Sequence, residues 1–233
     1  MQTMRFEERA HARVGQGRQR GFTLIEVAIV LVILGLLVGG VVKGQELIAG
    51  ARVHNLVALQ TGIKAAFFTF QDRYRALPGD YPQATRNVPG AAGDGNGNGR
   101  VEVTGSPLET LLVWDHLSKA GLLNYGFDAA NAASHSSATT PANAYGGFLD
   151  LAYDNAYADP GAPPSRHNLK TGGQLPVAML AAVDRKIDDG NAVTGIFRGS
   201  AAFGAGGVGN CWNAAGRWAE ETGFPNCAGT ELF

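Results

Sequence analysis

The sequence predicts an α+β protein. It has a long N-terminal helix with a transmembrane half and an amphipathic half, and a loop-rich globular domain with short helices and an antiparallel sheet. Three observations predict it. Residues 22–42 form an apolar run whose one ionisable side chain is Glu26. From residue 48 to residue 74 the apolar residues recur every three or four positions, the period of one helical face. Beyond residue 76 turn-forming residues crowd the chain, which holds 33 glycines and 10 prolines in 233 residues.

Residues 22–42 are long enough, at about 1.5 Å per residue, to cross a hydrocarbon layer of about 30 Å. They exceed the roughly 7–15 apolar residues of a cleavable secretory signal. The first 21 residues carry five arginines against Glu7 and Glu8. Basic residues stay on the cytoplasmic side, so the N-terminus is expected inside and the rest of the chain outside. The net charge of −1 therefore divides into a basic leader and a mildly acidic remainder. No basic run in the remainder exceeds Arg185-Lys186, so nucleic-acid binding is not indicated.

A carboxylate within such a helix costs about 2.5–3.5 kcal/mol near the bilayer centre and less towards its edge. Either Glu26 lies close enough to the headgroups to be tolerated, or it awaits a cation. A cut after Gly21 would create one, because Phe22 would then carry a free α-amino group within one helical turn of Glu26.

The arrangement of basic leader, Gly21-Phe22-Thr23-Leu24-Ile25-Glu26 and unbroken apolar run resembles the type IV prepilin signal. The resemblance implies cleavage by a prepilin peptidase between Gly21 and Phe22 and methylation of the new N-terminus. It also implies pairing of Glu26 with the amine of an adjacent subunit during filament assembly, and a pilin-like fold. The implied domains are a removed leader at 1–21, a long helix at 22–75 with its transmembrane segment at 22–42, and a globular pilin-like domain at 76–233. The implied location is the bacterial inner membrane, single pass, then a periplasmic or surface filament. Partners would be the peptidase and other pilin or pseudopilin subunits. Met4 is an alternative start, and the helix-kinking proline frequent in that family is missing.

In the second half of the helix, Ile48, Ala51, Leu56, Leu59, Ile63, Phe67, Phe70 and Tyr74 draw the apolar stripe, while Arg52, Gln60, Lys64 and Asp72 occupy other faces. Leu77-Pro78-Gly79-Asp80 ends it. Next, Asp94, Asn96, Asn98, Gly99 and Glu102 match positions 1, 3, 5, 6 and 9 of a calcium loop, but Gly105 stands where the bidentate acid belongs. Two readings stand, a calcium site of modest affinity and a metal-free run of Asn-Gly turns; no cofactor is required.

Ser106, Pro107 and Glu109 read as a capped helix start, with Leu111, Leu112, Trp114, Leu117 and Leu122 following and Gly121 near the end. Residues 129–142 read as a mobile loop, 145–153 as a strand, 175–187 as a helix with Pro176 in its first turn, and 193–197 as a strand. Asp184, Asp188 and Asp189 are a helix end and turn in the plainer reading and a cation cluster in the other. The phrase 184–191 is also similar to a segment in some large pilin-like proteins. Cys211 and Cys227, exported, are expected to form a disulfide contributing roughly 3 kcal/mol. They enclose Trp212, Trp218 and Phe224, either an aromatic core beneath the bridge or a partner-contact surface.

Catalytic chemistry is not indicated. Gly204-Ala-Gly206-Gly-Val-Gly209 has the letters of a dinucleotide fingerprint but too little chain after it for a βαβ unit. The five histidines have no metal spacing, and Asp115 and His116 point apart on their helix. The resemblance to the prepilin signal makes a structural filament subunit the leading expectation. A non-polymerising membrane-anchored adhesin or cation-binding module is second, and an exported enzyme cleaved near Ala51 third.

Overall fold

The computed structural model describes residues 21–103, 105 and 108–233 and divides into two units, 1–46 and 47–233. The expected leader and the Ser106-Pro107 helix start lie outside the described residues. One helix, α1 (Leu24–Tyr74), runs through the boundary between the units. As far as Val42 it is apolar on every side but for Glu26, the helix is long and apolar enough to cross a membrane, and its side chains from Phe22 to Val42 are exposed.

In the second unit α1 acquires a buried face made of Leu56, Gln60, Ile63, Ala66, Phe67 and Phe70. This corrects the expected stripe at two points. Ile48 and Ala51 are exposed, so the buried face begins later. Gln60, expected on another face, is 1% exposed, because it falls in the 56–60–63–67–70 series of fours and threes. The helix closes on Arg75 at φ 55°, whose N–H donates to the Gln71 carbonyl at 2.8 Å. The chain then turns through Gly79 at φ 89°, where a Cβ would lie 2.6 Å from the Glu109 carbonyl oxygen.

After the short helix α2 (Ala84–Asn87) comes α3 (Glu109–Lys119). Its end is a glycine-closed motif: Leu122 N–H donates to Leu117 and Gly121 N–H to Ser118, with Gly121 left-handed. Four strands follow, β1 (Asp150–Asp154), β2 (Arg166–Lys170), β3 (Phe197–Ser200) and β4 (Ala228–Leu232), with α4 (Val177–Ile187) between β2 and β3. They form an antiparallel sheet in the order β1-β2-β4-β3, so the C-terminal strand sits between β2 and β3. The strand expected at 193–197 is displaced: a turn occupies 192–196 and pairing starts at Phe197.

Two cores result. Ile63, Phe67 and Phe70 of α1 meet Trp114 and Leu117 of α3, Leu149, and Leu151 and Leu169 of the sheet. Leu56 meets Val177, Leu180 and Val183 of α4, Phe197, both tryptophans of the disulfide region and the two cysteines. Residues 129–142, expected to be mobile, are fastened by bonds such as Asp128 N–H to Ala138 O and by the buried Thr139 and Thr140.

Candidate functional site

At the N-terminal end of α1, Gly21 and Phe22 are exposed, the phenylalanine at 87%. Thr23 caps the helix. Its N–H and hydroxyl donate to Glu26 Oε2 at 2.8 and 3.0 Å, and its Oγ1 accepts from the Glu26 N–H at 3.3 Å. This is a reciprocal capping box, and the letters T-x-x-E at 23–26 announce it. Glu26 is therefore not the lone anion expected from the sequence, because Thr23 is its partner. The carboxylate in fact satisfies helix-end donors, which reduces what its placement in an apolar run costs. It remains on an exposed helix end, on the fifth residue after the candidate cut between Gly21 and Phe22.

The 80–102 loop is organised by a residue the calcium pattern does not contain. The carboxylate of Asp80, 4% exposed, accepts from the N–H groups of Gly97, Asn98 and Gly99 at 2.7–3.0 Å. The backbone donors thus converge on an anion. Asp94 holds α2, accepting the Thr85 N–H and hydroxyl at 2.7 and 3.0 Å. Asn96 Oδ1 accepts from Asn98 N–H, Asn98 Oδ1 from Arg100 N–H, and Glu102 Oε2 from Asn98 Nδ2. A cation bound here would have to draw these oxygens from their donors.

Asp115 and His116 are fasteners for the same segment. Asp115 accepts from Ala92 N–H at 2.9 Å. Buried His116 accepts the Gly79 N–H on Nδ1, so Nε2 carries the hydrogen donated to Gly93 O at 3.0 Å. Burial lowers its pKa, in keeping with that neutral form.

Around the disulfide, Asp184, Asp188 and Asp189 have carboxylate oxygens within 4.8 Å of one another. Asp184 is fully buried, accepting from Trp218 Nε1 at 2.6 Å and Gly190 N–H at 3.1 Å. Burial pushes its pKa up to about 6, against those two hydrogen bonds and with help from the Asp189 and Asp188 charges. Asp188 accepts the Ile196 and Phe197 N–H groups, and Asp189 those of Asn191 N–H and the Thr194 hydroxyl. The trio braces the turn between α4 and β3.

Cys211 and Cys227 are joined as a disulfide, and both are buried. Trp212 and Trp218 beside them are 5% and 6% exposed and belong to the core beneath the bridge, while Phe224 is half-buried. An open cleft of about 600 Å³ adjoins this region, lined by Tyr157, Asp159, Asn191, Thr194, Trp212 and Asn213 among others.

Compared with known proteins, residues 16–42 match the prokaryotic N-terminal methylation motif, the type IV pilin and pseudopilin signal. That motif implies processing by a prepilin peptidase and assembly with pilin subunits. No curated protein and no solved structure matches the chain.

Proposed function

We propose that this chain is a structural subunit of a type IV pilus or a type II secretion-like pseudopilus, cut after Gly21, methylated on Phe22 and assembled from the inner membrane into a filament. The observation that carries the reading is the methylation signal at residues 16–42, with Glu26 set at the first turn of an all-round apolar helix.

The mechanism is physical. The N-terminus of a helix carries a partial positive charge, so the new ammonium of Phe22 next to it is unfavourable until an anion answers it. Glu26 answers both, through its bonds to Thr23 and through pairing with an α-amine. An amine on an adjacent subunit serves as well as its own, and two charges in an apolar layer are neutralised only in one axial register. Helices leaving lipid for one another exchange one apolar setting for another at little cost, so the charge pair decides the alignment.

Native membrane protein should begin at methylated Phe22 on intact-mass and N-terminal analysis; retention of residues 1–21 would remove the proposal. Glu26→Val should insert into the membrane normally yet lower filament incorporation at least tenfold. Incorporation at the wild-type level would show that the carboxylate has no part in assembly.

A further inference from the structure

An enclosed ionisable cluster lies in the sheet. Lys170 is 2% exposed, and its Nζ lies 2.7 Å from Asp154 Oδ2 and 3.7 Å from Asp150 Oδ2. Asp150 and Lys170 are direct partners across the β1–β2 register. The Asp150 side chain is also nearly enclosed, and its Oδ1 is buried without a hydrogen-bond donor, with His135 Nε2 3.6 Å away. The two carboxyl groups differ. Asp154 is one-third exposed and fully occupied, accepting from Lys170, Asn168 Nδ2 and Ala156 N–H. Burial pushes its pKa up, but the Lys170 charge and these bonds outweigh that and hold it low. Burial raises Asp150 against the opposing charges of Lys170 and His135. The cluster thus pairs a buried amine with one carboxyl that stays ionised and one inclined to stay protonated.

We propose that Lys170 and Asp150 join in an intramolecular isopeptide bond that covalently closes the β1–β2 hairpin. The Lys170 ammonium gives one proton to the Asp154 carboxylate, which passes it to solvent through its exposed edge. The freed amine attacks Cγ of protonated Asp150, the N–C bond forms and the C–OH bond breaks. The departing hydroxyl takes the second amine proton and leaves as water. No oxidant or co-reactant is needed. Registering the groups across two strands supplies the effective concentration that condensation in water lacks. Once formed, the amide removes the buried Lys170 charge and gives Asp150 Oδ1 or Oδ2 up as the leaving oxygen. The edge strand β1 would be tied to interior β2, as the disulfide ties the 211–219 segment to the start of β4. A subunit pulled along a filament axis gains from both closures.

Intact mass of the reduced, denatured full chain decides the matter. The expected mass is 18 Da below that of the sequence for the N-terminus present. Trypsin should leave residues 120–166 joined to 167–185 through an uncleaved Lys170, and Lys170→Arg should restore the full mass. Asp94-Gly95 and Asp189-Gly190 can lose the same 18 Da as succinimides, so the loss must be located by fragmentation. A full-mass wild type, cleavage at Lys170, a loss located at either Asp-Gly pair, or a link to Asp154 would each overturn the assignment.

Discussion

The two halves of α1 are one continuous helix built on different patterns. Residues 24–42 are apolar around the whole circumference but for Glu26 and are exposed, whereas residues 56–70 are apolar along one line and bury it. Helical hydrogen bonds are the same in both, so what differs is the solvent each half is made for. A surface apolar on every side has no face to hide and suits lipid or other helices. A single stripe suits one neighbour, here the sheet and α3.

The largest effect expected from this contrast is in the second half. Phe70→Ala, deleting a side chain with no exposure between Tyr74, Tyr81 and His116, should destabilise the domain by about 3–5 kcal/mol in urea unfolding of the detergent-solubilised chain. Leu31→Ala in the first half should leave that transition where it was. Equal losses would mean that the halves do not differ in the way described.

Next, replacing Cys211 and Cys227 by serine should cost about 3 kcal/mol, since the bridge closes a loop of sequence separation 16 beside the second core. The same unfolding experiment, run with and without reductant, checks it.

An effect of similar size concerns Asp184. Its folded pKa of about 6 stands above the ordinary carboxylate value of 3.8, so the folded state holds a proton that the unfolded state releases. Its contribution is therefore greatest below pH 3.8 and is lost as pH rises through 6, by about 3 kcal/mol in all. Buried His116 and half-buried His167, whose pKa values burial lowers, act in the opposite sense as pH falls. The difference between wild type and Asp184→Asn isolates the aspartate. That difference should change between pH 4 and pH 7, and a pH-independent difference would count against the assignment.

The smallest expected effect returns to the first half. Thr23→Ala removes one side of the capping box and should lower helicity of the first turn, worth about 1 kcal/mol, without altering the unfolding of the globular domain. Amide exchange near residues 24–27 in micelles would show it, and unchanged protection there would assign the box no weight.

Much of this protein was legible in its letters because the relevant physics is local. The all-round apolar run, its T-x-x-E start, the Leu-Pro-Gly stop and the Gly121 helix end each state their structure within a few residues. So does the methylation signal, which depends on consecutive residues meeting a peptidase and a membrane. Strands β2 and β4 are not legible in the letters, since Arg166–Lys170 and Ala228–Leu232 lack clean alternation and are strands only because β2 has partners on both edges and β4 closes the order between β2 and β3.

The tertiary structure alone decided which polar residues go inside. Nothing near Gln60, Asp80, Asp184 or Lys170 in the sequence marks them as buried, and each is. Their partners are distant: Trp218 is 34 positions from Asp184, and Asp154 is 16 from Lys170. A helix is specified by bonds to residues four away, so its beginning and end are written where they occur. A buried charge is specified by whatever the fold places against it, which no local stretch contains.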